Sequence, residues 1–259
     1  MKLVTWNVNS VRARLPRLLA LLERHRPDLV CLQETKALET SFPSQELAAA
    51  GYQSEILGQK TYNGVALLTR RPLADVARGF DNDPLPGEAR VIAGSQGGLR
   101  VVNLYVVNGQ AVGTDKYQMK LKWLDALSTW IAERHDPAAP LLLAGDFNIA
   151  PDDRDVYAPD LWRGRVLCSA PERERLRRLL DWGLVDLLRR QTQEGGIFTW
   201  WDYRHGAFAR DWGLRLDLVL ATAPVAARLQ SITVDRDERR KRGEQTPPSD
   251  HAPVVVVLD

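Results

Sequence analysis

Acidic and amide side chains recur beside short apolar runs in this chain. Asn7 and Asn9 follow Leu3-Val4-Thr5-Trp6, and Glu34 follows Leu29-Val30-Cys31-Leu32-Gln33. Asp146 and Asn148 follow Leu141-Leu142-Leu143-Ala144, and Asp250-His251 precedes the apolar run Val254 to Leu258. Asp217 interrupts another run, Leu216-Asp217-Leu218-Val219-Leu220. Singly, each has a bland account, because Asn and Asp favour turns by bonding their own backbone. Asp217 resists that account. A carboxylate within an apolar strand is costly unless paired, and His251, one of 4 histidines, is the cheapest partner. The set therefore predicts one shared site. Oxygen ligands from Glu, Asp and Asn suit Mg²⁺ or Mn²⁺, whereas zinc usually takes His or Cys. Such an ion can neutralise a phosphate and stabilise the leaving oxygen. A separate Asp can orient or deprotonate the attacking water, and an Asp–His pair can bind phosphate or shuttle a proton. The chemistry is metal-assisted phosphoester hydrolysis.

The elements that must bring these residues together show two hydrophobic periods. Strands are expected at Leu3 to Val8, Asp28 to Gln33, Gly64 to Thr69, Val101 to Val107, Leu141 to Ala144, Leu214 to Ala221 and Val254 to Leu258. Leu15, Leu18, Leu19 and Leu22 follow the i, i+3, i+4, i+7 rule of an amphipathic helix, with Pro16 tolerated in its first turn. Tyr117, Leu121, Leu124 and Ile131 mark a long helix. Ser169 and Glu172 form a capping box ahead of Leu176, Leu179 and Leu180, in a helix that Gly183 stops. Strands come in runs with helices between some of them, which predicts an α+β fold of packed sheets with helices outside. The halves echo weakly, each opening on a strand that runs into an Asn (Asn7 and Asn148). No linker divides the chain, since Asp136-Pro137-Ala138-Ala139-Pro140 has only loop length. One domain over residues 1–259 is expected.

Composition excludes several classes. The 259 residues are 44% hydrophobic and 26% charged, which suits a globular protein rather than a disordered or collagen-like one. A chain of this length can bury about 70–75% of its unfolded surface and needs no disulfide or structural zinc to fold. The 2 cysteines, Cys31 and Cys168, cannot make a Cys-rich zinc site. The apolar flanks of Cys31 suggest a buried thiol in a reducing cytosol. No apolar run approaches the ~20 residues of a membrane span, and the N-terminus lacks a signal peptide's apolar core. A cytoplasmic protein is expected. The net charge of +2 hides two Arg-rich segments, Arg163 to Arg178 and Arg236 to Arg242. They are either solvated faces or a phosphate-contacting rim.

At these residues the sequence resembles the exonuclease III family of DNA-repair enzymes, within the endonuclease/exonuclease/phosphatase superfamily that includes deoxyribonuclease I. The resemblance runs from Trp6-Asn7-Val8-Asn9 to Ser249-Asp250-His251-Ala252-Pro253. Between them, in the family's order, fall Leu32-Gln33-Glu34-Thr35-Lys36, Tyr62-Asn63-Gly64-Val65-Ala66, Gly145-Asp146-Phe147-Asn148-Ile149-Ala150-Pro151 and Leu214-Arg215-Leu216-Asp217. One such motif is weak; the ordered set is specific.

The resemblance implies a four-layer αββα sandwich with the site at one edge of paired mixed sheets. It implies a divalent metal, Mg²⁺ with Mn²⁺ as substitute, at Glu34 with Asn7 and Asp250. It further implies that Asp146 activates the water, that Asn148 and His251 hold the scissile phosphate, and that Asp217 orients His251. Tyr105 and Asn108 would contact the phosphate or leaving group. Trp200, Leu214 and Leu216 would wall a pocket for a base-less sugar flipped from the duplex, and flipping is cheapest at damaged sites. Arg12, Lys36, Tyr62 and Asn63 match strand-contacting loops.

The implied enzyme is a monomer that incises double-stranded DNA 5′ to abasic sites and cleans blocked 3′ ends. Two departures qualify this. The run Tyr105-Val106-Val107-Asn108-Gly109 lacks the family's frequent Pro, which leaves the placement of Asn108 open. Leu167 falls in a stretch that borders the sugar pocket in the family, where its bulk would narrow the pocket and shift the balance toward 3′-end processing. Two rival readings are a phosphatase of soluble or lipid phosphoesters, permitted by superfamily analogy alone, and a DNA-binding module without catalysis.

Overall fold

In a computed structural model that describes residues 1–241 and 246–259, the chain forms two packed six-stranded sheets with helices on their outer faces. The strands are β1 (Lys2–Asn7), β2 (Leu29–Gln33), β3 (Gln53–Leu57), β4 (Val65–Thr69), β5 (Ala74–Arg78), β6 (Val91–Gln96) and β7 (Leu99–Tyr105). They continue with β8 (Leu141–Asp146), β9 (Leu184–Asp186), β10 (Trp200–Trp201), β11 (Gly213–Leu214), β12 (Asp217–Thr222), β13 (Leu229–Val234) and β14 (Val254–Leu258). The principal helices are α1 (Val11–His25), α2 (Ser44–Ala49), α3 (Asp115–Arg134) and, by a count that passes over the short turns, α4 (Ala170–Asp181). One sheet runs β13-β14-β1-β2-β4-β3 and the other β5-β6-β7-β8-β12-β9, while β10 and β11 form a short ribbon. The β1–β2 and β7–β8 pairs are parallel and the remaining neighbours antiparallel, so both sheets are mixed.

The near-continuous apolar runs follow from burial on both faces. Leu3, Leu29, Cys31, Val65 and Leu67 pack inward against Val101, Leu142, Ala144 and Val219 of the facing sheet. Their neighbours Val4, Trp6, Val30 and Leu32 point outward onto Leu18, Leu21 and Leu22 of α1. On the second sheet, Val102, Leu104 and Leu143 receive Trp123, Leu124, Leu127 and Ile131 of α3 and Leu176 and Leu179 of α4. The expected αββα sandwich is thus present as helix, sheet, sheet and helix layers.

Three local expectations change. Pro16 lies inside α1, not in its first turn. The amide it lacks would bond the carbonyl of Arg12, and both residues are exposed, so water can serve that carbonyl. The expected strand Leu214 to Ala221 is split, and Asp217 begins β12 rather than lying within a strand. The break follows from where the backbone bonds: Leu216 and Asp217 amides both donate to Thr199 Oγ1 at 3.0 Å, and the Arg215 amide donates to the Asp155 carbonyl at 2.9 Å. The third change concerns the Arg-rich segments. Arg163, Arg173, Arg175 and Arg178 pair with Asp153, Asp160, Asp125 and Glu174, so much of that first segment's charge is spent internally. In the second, Arg236 pairs with Asp211 and Arg240 with Asp237, and Arg242 lies outside the described residues. No helix among the described residues is long and apolar enough to cross a membrane.

Candidate active site

The topology delivers the polar residues to one end of the two sheets. Tyr105, Asp146 and Asp217 lie in register across β7, β8 and β12. On the facing sheet Asn7 is in register with Gln33, so Glu34 emerges at the same end. His251 approaches from the segment before β14 and bridges Trp200. Its carbonyl accepts from the Trp6 indole at 3.1 Å, and its amide donates to Ser249 Oγ at 3.2 Å.

At the centre, Asp217 Oδ2 and His251 Nδ1 are 2.8 Å apart, and His251 Nε2 lies 3.7 Å from Asp146 Oδ2. Burial alone would lower the His251 pKa, but the Asp217 and Asp146 carboxylates outweigh it and raise it to about 10. The two carboxylates thus favour the imidazolium form of His251. Burial, opposed by His251 and reinforced by Asp217, pushes the Asp146 carboxyl upward. Its Oδ1 accepts from the Asn148 amide at 2.8 Å and its Oδ2 from Asn7 Nδ2 at 2.9 Å. Asn7 Nδ2 also donates to Glu34 Oε1 at 2.8 Å, so one carboxamide ties the two carboxylates across the sheets. Asn148 is held at φ 49° with Nδ2 on the Val106 carbonyl at 2.9 Å. Asn108, despite the missing proline, reaches Asn148 Oδ1 through its Nδ2 at 3.0 Å. Tyr105 carries the Arg90 guanidinium 4.9 Å from its ring centre. Burial and the nearby Glu34 and Asp146 carboxylates hold its phenol well above its ordinary pKa, as a protonated donor.

The donor set fits a hard divalent cation on the Glu34 side. Asp146, Asp217 and His251 do place donor atoms within 4.8 Å of one another. However, the Asp217–His251 bond and the imidazolium charge make that trio a poor cation cradle. Glu34 differs. Its Oε2 already accepts a cation, the Lys36 ammonium, at 2.8 Å, and its side chain remains partly solvent-accessible. A glutamate carboxylate suits Mg²⁺ or Mn²⁺, whereas Asn7 turns its Nδ2 to Glu34 and accepts the Asn9 amide on its Oδ1 at 3.0 Å, so it braces Glu34 rather than offering a free oxygen. Asp250 is engaged elsewhere, its oxygens accepting from Trp200 Nε1 at 3.0 Å and Asn9 Nδ2 at 2.9 Å.

Where the sugar pocket was expected, Leu214, Leu216, Ala150, Val156 and Cys168 form a buried apolar cluster with Trp200 packed against it. Leu167 belongs to the same cluster, only 5% exposed and at φ 74°. Of the expected strand contacts, Arg12 and Tyr62 are exposed. Lys36 turns toward Glu34 and Asn9 instead, donating to Asn9 Oδ1 at 2.6 Å. Asn63 is buried, its amide on Gln59 Oε1 at 3.0 Å, which makes it a brace of the loop.

Several contributors escaped the sequence reading: Ser249 and Thr199, which bond the site's backbone, Arg90 beneath Tyr105, and Lys120. Only Lys120 carried a signal. It shares a helical face with Leu124, Leu127 and Ile131 at the i, i+4, i+7, i+11 spacing of a buried stripe.

The family model of the endonuclease/exonuclease/phosphatase family matches residues 4–251. Exodeoxyribonuclease III of Haemophilus influenzae is 35% identical over 266 residues, covering 98% of each chain. Among solved structures, the 3′ phosphatase NExo from Neisseria, bound to a product DNA hairpin, superposes with a TM-score of 0.95 at 42% identity, covering 100% of this chain and 99% of that one. An AP endonuclease from Archaeoglobus fulgidus superposes with a TM-score of 0.94 at 37% identity and the same coverage.

Proposed function

The chain belongs to the endonuclease/exonuclease/phosphatase family, and from that premise we propose that it is an exonuclease III-type DNA-repair hydrolase. It acts on phosphodiesters 5′ to abasic sites and on blocked 3′ ends, and leaves a 3′-hydroxyl. The family is one of divalent-metal-dependent nucleases, and Mg²⁺, with Mn²⁺ as substitute, is the ion proposed here. Glu34, braced by Asn7, would hold it, and it would supply charge neutralisation at the phosphate and leaving oxygen. The observation that carries the reading is the Asp217–His251–Asp146 row, with 2.8 and 3.7 Å separations, facing the Asn148 and Asn108 carboxamides.

In this reading Asp146 orients and deprotonates the attacking water, with its carboxylate fixed by Asn7 and the Asn148 amide. The charged His251 and the Asn148 and Asn108 side chains bind the scissile phosphate, and Asp217 keeps His251 charged and oriented. Tyr105 donates its phenolic hydrogen to a phosphate oxygen or to the departing oxygen. Trp200, Leu214 and Leu216 form the wall beside the reacting sugar. Arg12 and Tyr62 would meet the strand from exposed positions.

Within this activity, the packing of Leu167 among Leu214, Leu216 and Trp200 favours 3′-end processing over abasic-site incision. The relatives reported above include both a 3′ phosphatase and an AP endonuclease. The test is purified protein with Mg²⁺ on duplexes carrying a 3′-phosphate, an internal abasic analogue or an undamaged recessed 3′ end. Asp146→Asn should keep DNA binding and lose about 10³-fold or more in kcat. Near-normal turnover by that variant would overturn the role of Asp146. Hydrolysis of soluble phosphoesters without any DNA activity would favour the phosphatase alternative.

A further inference from the structure

A buried ion pair lies behind the site, and no catalytic step uses it. Lys120 of α3 and Glu172 of α4 are both fully buried and paired with each other. The three N–H donors of the Lys120 ammonium are all used. One goes to Glu172, one to the Asn148 carbonyl at 2.6 Å and one to the Asn108 carbonyl at 3.2 Å. Glu172 is as fully engaged. Its Oε1 accepts the Leu167 amide at 3.0 Å, and its Oε2 accepts the Ser169 amide at 3.0 Å and Ser169 Oγ at 2.5 Å. One turn before Lys120, the Tyr117 hydroxyl meets Ser169 Oγ at 2.7 Å.

The pair thus touches the backbone of Asn108, Asn148 and Leu167. Asn108 and Asn148 are the proposed phosphate-binding amides, and Leu167 is the pocket wall. Leu167 is bonded at both ends, its amide to Glu172 and its carbonyl to the Ala150 amide at 2.8 Å. A leucine at φ 74° is strained and persists only where its surroundings over-determine it. Gly109, next to Asn108, completes the junction: a Cβ there would lie 3.0 Å from Lys120 Cδ and 3.3 Å from Val166 Cγ2. A buried ion pair gains little stability over an apolar pair of similar volume. What this one supplies is geometry.

We infer that Lys120 and Glu172 are positioning residues that set substrate preference: they lock the phosphate-binding amides and the Leu167 wall into one rigid unit, so that the phosphate is gripped with the sugar pocket closed. The inference rests on the function proposed above and adds the device that fixes its specificity. Releasing the unit loosens the phosphate grip for every substrate, and also frees Leu167 to move from the pocket, which helps only the base-less sugar.

Three variants test this on duplexes bearing a 3′-phosphate or an internal abasic analogue, with kcat and KM measured for each. Lys120→Met strands the Glu172 charge, the double variant Lys120→Met/Glu172→Gln removes both charges, and Ser169→Ala loosens the junction without burying a charge. The double variant should raise KM about 3- to 10-fold on both duplexes and raise the abasic-to-3′-phosphate ratio of kcat/KM at least about 5-fold. Ser169→Ala should shift the ratio the same way by about 2- to 3-fold. A merely structural pair would lower the active fraction and leave the ratio unmoved. An unchanged ratio in Ser169→Ala and in a folded double variant overturns the inference, and Ser169→Ala decides alone if the charge variants do not fold. Parent protein inert on both duplexes with Mg²⁺ would instead remove the functional reading, and this inference with it.

Discussion

On the function proposed above, replacing Leu167 with glycine should raise abasic-site incision relative to 3′-end processing. In the parent, the Leu167 isobutyl group is 5% exposed and packs with Leu214, Leu216 and Trp200, where a base-less sugar would enter. Admitting the sugar means expelling that group from its apolar contacts, which costs about 2–3 kcal/mol for a buried leucine. At 1.36 kcal/mol per decade, that penalty corresponds to about 30- to 150-fold in abasic-site incision. Leu167→Gly should recover that factor in kcat/KM on an internal abasic analogue and change 3′-phosphate removal by less than about 3-fold. Folding should survive. Truncating a core leucine ordinarily costs about 2–5 kcal/mol, but glycine relieves about 1–2 kcal/mol of left-handed strain at φ 74°. The net loss, about 1–3 kcal/mol, would show in urea denaturation. If Leu167→Gly folds, retains 3′-phosphatase activity and gains less than about 3-fold on the abasic analogue, Leu167 is not the obstacle.

Further outcomes follow from the same coordinates. Mg²⁺ at about a hundredfold excess over its Kd should stabilise the native chain by about 2.7 kcal/mol, a Tm rise of about 5–10 °C; Glu34→Gln should abolish the rise, and a shift retained in that variant would remove Glu34 from the metal site. Arg215→Leu should destabilise by about 2–3 kcal/mol, because it removes the guanidinium that bridges the buried Asp155 and the Asp186 carboxylate and leaves Asp155 only its pair with Arg189; a urea-derived loss below about 1 kcal/mol would contradict the burial argument. The raised His251 pKa contributes stability that is fully present below its ordinary value near 6.5 and is lost as pH rises through about 10. Asp217→Asn removes the main source of that rise, so the stability gap between parent and variant should narrow across this pH interval, and a gap that widens would show the sign to be wrong.

The sequence by itself singled out the polar residues that the fold gathers at one end of the sheets, and much of the layering. Asn7, Glu34, Asp146, Asn148, Asp217 and His251 were legible because a polar residue beside a run such as Leu141 to Ala144 breaks a hydrophobic pattern that burial enforces. The ordered motifs added the family and its sandwich. The edge strands Gln53–Leu57 and Ala74–Arg78 were not legible, because they are half-exposed and carry no strong alternation. The orientation of long side chains was also decided only in three dimensions. Lys36 and Asn63 were expected to face DNA, yet Lys36 turns to Glu34 and Asn63 to Gln59, since an ammonium finds its nearest carboxylate and a buried amide must find a partner. The Arg163 to Arg178 segment was readable as charge but not as pairing: Asp125, which absorbs part of it, lies 50 residues before Arg175 on α3, and Asp153 lies outside the segment in the turn after β8. Lys120 and Glu172 are the clearest case. The Lys120 position announced burial, but 52 residues separate it from its partner. Only the packing of α3 against α4 could show that one ammonium holds both the Asn108 and Asn148 carbonyls and, through Glu172, the Leu167 amide.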